Sequence, residues 1–380
     1  MENTINVAIV GAGNCASSLY QGFTFYKNMT SDNGLMKANI GNYTINSINV
    51  VAVFDVDNRK VGKTFKQALL SEPNCTPIFA NIDDIPDGPI VQMGHVLDGV
   101  SDTMINHPKG FNVSHDLPVD VIHTLKDRNV DILINYLPVG SQKATEYYAE
   151  CCLAAKVSLL NCIPIFIASN PEWEQKFINA GIPIIGDDMK SQFGASILSQ
   201  MIQELAFARG HNVKCHIQRN IGGNTDFLNM TDQSRLASKK ISKENVIKCQ
   251  NEIRNISMDD SFYHAGPSEY IAYYKDNKVA NFRVEMEGFM GSPVILDAQL
   301  SVIDSPNSAG VVVDAIRYLQ VARELGLSGS LRGPSAFTQK TPPEPLTMEQ
   351  TLFECNKLAN RELTDITKKQ LNNAEQELHY

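Results

Sequence analysis

Apolar residues fall into two textures along this chain. Over the first half they come as short unbroken runs: Ile5 to Gly11, Ile48 to Phe54, Val130 to Leu137, Val157 to Ile165 and Ile182 to Ile185. Runs of that length without alternation predict strands buried on both faces. Helical patterning separates them at Val119 to Arg128 and Lys143 to Ala155. Strands alternating with helices predict a parallel, doubly wound α/β sheet.

From about Ser191 the texture changes. Ile197, Leu198, Met201, Ile202 and Leu205 recur at helical spacing, which predicts an amphipathic helix rather than another strand-helix-strand unit. Ala280, Phe282, Val284 and Met286 then alternate with Asn281, Arg283, Glu285 and Glu287, and beyond Gly291 the residues Val294, Leu296, Ala298, Leu300 and Val302 share one face. Period-2 strands with one polar face predict an open antiparallel sheet, half covered. Ser305 to Leu325 returns to helix, with Asn307 or Ser308 as the expected cap and Gly326 just past the end. The Pro-rich stretch Thr341 to Pro345 breaks the chain before a polar, helical tail to Tyr380. The expected division is therefore 1–190 plus 305–380 for the parallel sheet, with an inserted α+β domain at 191–304.

Composition narrows the function classes. The 380 residues suffice for two or three domains, and 33 Lys and Arg against 42 Asp and Glu leave a net charge of −9. That balance excludes nucleic acid as the main partner, because phosphate-backbone binding needs clustered positive charge. No apolar run reaches the roughly 18 residues of a membrane span, and the start Met1-Glu2-Asn3-Thr4 lacks the plan of an export signal, so the expected location is the cytoplasm. The eight cysteines are scattered without a C-x2-C pair, which argues against a zinc framework.

The first strand ends in Gly11-Ala12-Gly13-Asn14-Cys15-Ala16 and a helix follows. Gly11-x-Gly13-x-x-Ala16 in that context is the Rossmann-type dinucleotide fingerprint: one glycine makes the turn, the next admits a pyrophosphate, and the helix N-terminus meets its charge. Asp55, at the end of the second run, can accept both ribose hydroxyls and would repel a 2′-phosphate, which favours NAD over NADP. It follows Gly13 by about twice the usual ~20 residues, so about twenty inserted residues around Lys27 to Thr44 must leave the first crossover.

Lys239 and Lys243 stand four apart in Ser238-Lys239-Lys240-Ile241-Ser242-Lys243 and share one face if that segment is helical. Two ammonium groups that close disfavour each other's charge, leaving one able to act as a base near pH 7. A lysine-rich solvated surface has the same pattern. Asp187-Asp188 followed by Lys190-Ser191-Gln192 reads either as a polar loop capping the next helix or as a phosphate cradle, with Ser191 and Gln192 donating hydrogen bonds.

Six blocks in order, 7–19, 134–141, 186–192, 222–229, 238–243 and 304–310, closely resemble the prokaryotic myo-inositol-1-phosphate synthases, and the resemblance runs from about residue 5 to 345. It implies an NAD-dependent isomerase that converts glucose 6-phosphate to inositol phosphate without net redox change. Hydride leaves C5 for NAD, a proton leaves C6, the enolate attacks the C1 aldehyde, and hydride returns to C5. The resemblance further implies that Lys239 handles the C5 proton, Lys243 holds the phosphate and nearby oxygens, Lys278 is a third active-site lysine, and Lys340 polarises the C1 carbonyl. Asp188 and Asp304 would orient the lysines, and Asn224 and Asp226 would bind sugar hydroxyls beside Ser191 and Gln192. Gly11, Gly13, Asn14, Cys15, Ala16, Asp55 and Pro138 would form the cofactor site. A homotetramer built through the antiparallel sheet of a catalytic domain at 191–304, and a divalent or monovalent cation near the phosphate, are also implied, although no residues here have metal-ligand spacing. The tail after Pro345 exceeds the family pattern.

Three other readings keep part of this pattern: a cyclase making another carbocycle from a different sugar phosphate, a regulatory protein that binds NAD without catalysis, and a plain dehydrogenase that releases NADH stoichiometrically.

Overall fold

In the first sheet the five unbroken apolar runs supply β1 (Ile5–Val10), β2 (Ile48–Asp55), β4 (Ile132–Asn135), β5 (Ser158–Asn161) and β6 (Pro183–Ile185), while β3 (Val91–Met93) lies in none of them. Next come β7 (Asn212–Gly222), β8 (Tyr263–Tyr270), β9 (Asn277–Glu287) and β10 (Pro293–Ile303), after which β11 (Gly329–Ser330) rejoins the first sheet. The computed structural model describes residues 4–27, 29, 32–235, 237–253 and 262–371; the first three residues of the start and the last part of the expected helical tail, 372–380, lie outside the described residues.

The first sheet is ordered β11-β6-β5-β4-β1-β2-β3, and every neighbouring pair is parallel. Burial explains why these runs do not alternate: all four residues of β4 and all four of β5 are buried, so both faces of each strand must be apolar or satisfied. Helices Asn14–Lys27 and Asp304–Glu324 cover one face, and Val121–Asp127, Gln142–Ala155 and Pro171–Ala180 cover the other. Each fully buried Ile or Leu in these layers contributes about 1.5–3 kcal/mol. From β1 the chain winds outward to β2 and β3, then crosses to β4 and winds the other way. The reversal between β1 and β4 opens a crevice beyond their carboxyl ends, where such sheets bind ligands.

Between β6 and the return helix lies a second sheet of order β10-β9-β7-β8. The alternating pattern places Ala280, Phe282 and Val284 inward, against helix Ala195–Ala208, with Leu296, Ala298 and Leu300 beside them. The expectation of a wholly antiparallel sheet is corrected here: β10 and β9, and β9 and β7, are antiparallel, but β7 and β8 run parallel. A parallel neighbour needs a long crossover, and helices Thr225–Asn229 and Ala237–Glu252 fill it.

The return helix starts at Asp304 and carries no side-chain cap of its own, so neither Asn307 nor Ser308 caps it. Asn307 instead pairs with the backbone of Phe193 through both amide atoms, and Ser308 donates to the carbonyl of Ser305. Asp276 takes over the capping role from outside: its carboxylate accepts from the Ser305 N–H at 3.3 Å and from the Ser305 hydroxyl at 2.8 Å, and its carbonyl accepts from the Asp304 N–H at 2.8 Å. The helix ends at Glu324, with Gly326 at φ +69 as expected for a left-handed stop. The excursion in the first crossover is held down on this helix, where fully buried Arg317 donates to the carbonyls of Lys37 and Ala38 at 2.9 Å each. In the tail, Met348–Ala359 is a helix opened by a Thr347/Gln350 capping box.

Candidate active site

The fingerprint turn closes one wall of the crevice. Gly11 has φ +97, its N–H donates to the Phe54 carbonyl at 2.8 Å, and a Cβ there would lie 2.6 Å from the Tyr136 carbonyl oxygen, so only glycine fits. Gly13 differs: a Cβ on it would meet nothing of the chain within 4 Å. Packing does not demand glycine there, whereas close approach of a pyrophosphate would. Ala16 is buried and lets the helix lie close on the sheet. Asn14 accepts from the N–H groups of Cys75 at 2.7 Å and Thr76 at 3.1 Å, fastening the loop before β3 over the turn. Cys15 faces the crevice, its thiol pushed up to about 12 by burial and then by Asp276. Asp55 reaches back to the turn, where its Oδ2 accepts from Ala12 N–H at 2.7 Å, while Oδ1 accepts from the N–H groups of Val56 and Asp57. Pro138, in the loop after β4, lines the crevice with these residues. The set fits a dinucleotide: a glycine turn, an open second glycine and a carboxylate at the end of β2.

Deeper in the same crevice the structure gathers Lys239, Lys243, Lys278 and Lys340 with Asp188, Asp226 and Asp304. Lys239 and Lys243 share a face of helix Ala237–Glu252, as their spacing predicts. Lys278 opens β9, and Lys340 follows helix Arg332–Thr338. Asp188 is the node. Its Oδ1 accepts from Lys340 Nζ at 2.8 Å and lies 3.6 Å from Lys239 Nζ, and its Oδ2 accepts from the Ser242 hydroxyl at 2.7 Å. Lys239 also stands 3.7 Å from Asp226, and Lys278 pairs with Asp304.

The charge states follow from this crowding. Burial alone would raise the Asp188 carboxyl, but Lys239 and Lys340 outweigh it and hold it at about 2. Burial also opposes charge on Lys239, yet Asp188, Asp226 and Asp304 raise its pKa. Lys243 goes the other way: burial, then Lys239, Lys278 and Lys340, push it well below the ordinary lysine value, and no carboxylate among the described residues lies within ion-pair distance of it. One crevice thus holds a lysine whose charged form is favoured and another whose charged form is disfavoured, the contrast that acid and base chemistry uses.

Asn224 caps helix Thr225–Asn229 through its carbonyl and donates to Asp276 at 3.1 Å, so its amide is engaged by the protein. Ser191 lines the crevice; Gln192 does not, because its N–H donates to the Asn307 carbonyl at 2.7 Å and its side chain lies against Gly310. Of the two expected cradle donors only Ser191 lines the crevice, and no side chain of the loop caps the following helix Ala195–Ala208. Asp187 is fully buried and turned inward, accepting from Asn161, Ser169 and the N–H groups of Ile167 and Ala168. Sequence reading missed Ser242 and Asp276. Ser242 sits between the two lysines and could have been found there, whereas Asp276 carries no local signal.

Among the described residues no group of three His, Cys, Asp or Glu side chains is placed to hold a metal ion. No helix among them is long and apolar enough to cross a membrane.

Fold and site together define a doubly wound α/β enzyme whose buried lysine and carboxylate cluster faces a nucleotide-type glycine turn. A family profile described as myo-inositol-1-phosphate synthase matches residues 194–305. The chain is 43% identical to the inositol-3-phosphate synthase of Mycolicibacterium smegmatis, over 90% of this chain and 94% of that one. It is 42% identical to the inositol-3-phosphate synthase of Corynebacterium glutamicum, over 90% and 95%. A myo-inositol-1-phosphate synthase-related protein from Thermotoga maritima shares the fold with a TM-score of 0.79 at 22% identity, over 95% of this chain and all of that one. The chain belongs to the inositol-3-phosphate synthase family.

Proposed function

We propose that the protein is an NAD-dependent isomerase converting D-glucose 6-phosphate to 1D-myo-inositol 3-phosphate with no net redox change. The observation that carries this reading is the lysine cluster around Asp188 in the same crevice as the Gly11 turn. Bound NAD would take hydride from C5 and return it after ring closure. The chain's own residues supply the proton traffic and charge stabilisation. Lys239, whose charged form Asp188, Asp226 and Asp304 favour, faces the C5 oxygen and relays the hydroxyl proton to Asp226, 3.7 Å away, as hydride leaves, then draws it back to the oxygen in the final reduction. Burial, and then Lys239, Lys278 and Lys340, lower the pKa of Lys243, while a phosphate dianion beside it favours the charged form, so substrate binding draws a proton toward its Nζ. Lys340 polarises the C1 carbonyl, and Lys278, paired with Asp304, stabilises oxyanion charge on the enolate. Ser191, Asp226 and the second amide N–H of Asn224, the one not given to Asp276, hold phosphate and hydroxyls, bending the open-chain sugar into a near-attack shape.

The working unit is proposed to be a homotetramer in the cytoplasm, joined through the second sheet. At its end Phe289 and Met290 are 84% and 87% exposed, and Leu205 and Ile295 add further uncovered apolar surface.

Incubation with glucose 6-phosphate and catalytic NAD tests the reading. Cyclic phosphate formed without net NADH is the expected result. Lys239→Ala should block oxidation, and Lys340→Ala should allow oxidation but not cyclisation. Stoichiometric NADH with no cyclic product would sink the proposal in favour of a plain dehydrogenase.

A further inference from the structure

Arg235 lies buried just before the helix Ala237–Glu252 that carries Lys239 and Lys243. Its guanidinium reaches across to two loops of the parallel-sheet unit. Nε donates to the Val139 carbonyl at 2.9 Å, Nη1 to the Asp98 carbonyl at 2.7 Å, and Nη2 to the Gly99 carbonyl and the Ser141 hydroxyl at 3.4 Å each. Asn229 adds a second bond to the Val139 carbonyl at 2.9 Å. Both loops line the crevice beside the glycine turn, one through His95, Val96 and Gly99, the other through Leu137, Pro138 and Val139.

Among the described residues no carboxylate lies within ion-pair distance of Arg235. A buried guanidinium satisfied only by main-chain carbonyls and one hydroxyl is a costly arrangement, and burial lowers its pKa in spite of Asp98 and Asp232. The loop is shaped to receive it. Gly140 has φ +85, and a Cβ there would stand 2.7 Å from Arg235 Nε. The planar fork of five N–H groups spans acceptors on two loops at once, which a lysine ammonium cannot do.

We infer that Arg235 is a positioning residue that sets the register between the cofactor-side loops and the lysine helix, coupling dinucleotide occupancy to the placement of Lys239. The turnover part of this inference rests on the synthase reading; the coupling itself does not.

The test uses the full-length protein with Arg235→Gln and Arg235→Lys. In the wild type, NAD should slow amide hydrogen exchange in helix Ala237–Glu252, and in both variants that protection should be lost. Displacing reacting groups by about 1 Å costs on the order of 100-fold in rate, so kcat should fall about 10–100-fold, with KM for glucose 6-phosphate changed far less and no rescue by lysine. Variants that keep NAD-dependent protection and wild-type kcat would overturn the inference, as would a kcat loss that merely follows a lowered Tm and disappears on cooling. If the wild type makes no inositol phosphate, the synthase reading fails while the exchange measurement still decides the coupling.

Discussion

Lys340 and Asp188 are joined twice: the ammonium donates to Oδ1 at 2.8 Å, and the Lys340 backbone N–H donates to the Asp188 carbonyl at 2.8 Å. A third bond runs from Lys340 Nζ to the Met189 carbonyl at 2.7 Å. Side chain and main chain thus fix one ammonium against one carboxylate. Asp188 is itself held at φ +65, a left-handed conformation that a non-glycine residue keeps only when its surroundings enforce it.

Asp188→Asn should therefore harm both folding and chemistry. Breaking a buried ion pair from one side costs about 3–5 kcal/mol, to be read from urea denaturation. Loss of the charge that orients Lys239 and Lys340 should lower kcat by about 100-fold or more. The carboxyl titrates in the fold at about 2 rather than 3.8, so its stabilisation is fully present above about pH 4 and is lost as the pH falls through about 2. Acid unfolding of the variant should lack that component.

The two glycines of the turn should separate folding from binding. In Gly11→Ala the new Cβ would stand 2.6 Å from the Tyr136 carbonyl oxygen on a φ of +97, so both Tm and NAD affinity should drop. In Gly13→Ala the methyl meets no part of the chain within 4 Å. Its Tm without ligand should match the wild type, while NAD affinity falls at least about tenfold because the methyl occupies the approach of the pyrophosphate. Equal NAD affinity in Gly13→Ala and wild type, measured by calorimetry, would refute the cofactor assignment.

His216 makes a pH-dependent contribution of known sign. Ser199 donates to Gln218 at 2.8 Å, so at its 2.9 Å contact with His216 Nε2 the serine oxygen accepts and the ring nitrogen donates. Nδ1 then faces the Gln203 amide, with no acceptor for a second proton. Burial pushes the ring from 6.5 to about 4. Between those values the unfolded chain takes up a proton that the fold refuses, so stability falls as the pH falls from 6.5 to about 4. The stability advantage of wild type over His216→Gln should shrink across that window, and parallel curves would show that the ring titrates normally.

Phe289 and Met290 should be the points at which assembly breaks. Replacing both with Ser at the β9–β10 turn should leave the fold intact, since their side chains are 84% and 87% exposed, and should lower the mass seen by light scattering. An unchanged mass would move the subunit interface elsewhere.

Local pattern was enough for much of this architecture. The apolar runs mark β1, β2, β4, β5 and β6 because a strand buried on both faces has no polar positions to alternate with. The alternation at Ala280–Met286 marks a half-covered strand, and the Gly11–Ala16 spacing marks a nucleotide-type turn, since each signal is written within a few neighbouring residues. The spacing of Lys239 and Lys243 likewise puts them on one face. Beyond that, the residues had to be brought together by the chain as a whole. Lys340 and Asp188 are 152 positions apart, and nothing periodic links them. The parallel pairing of β7 with β8 depends on a crossover, the external capping of Asp304–Glu324 on Asp276 in the turn before β9, and the turning away of Gln192 on a contact with Asn307. Sequence alone determined which segments become strand, helix and glycine turn, because those preferences are set by side chains a few residues apart. Only the tertiary structure decided which lysine's charge is favoured and which lysine's is disfavoured, because burial and charge–charge interaction depend on distance in space.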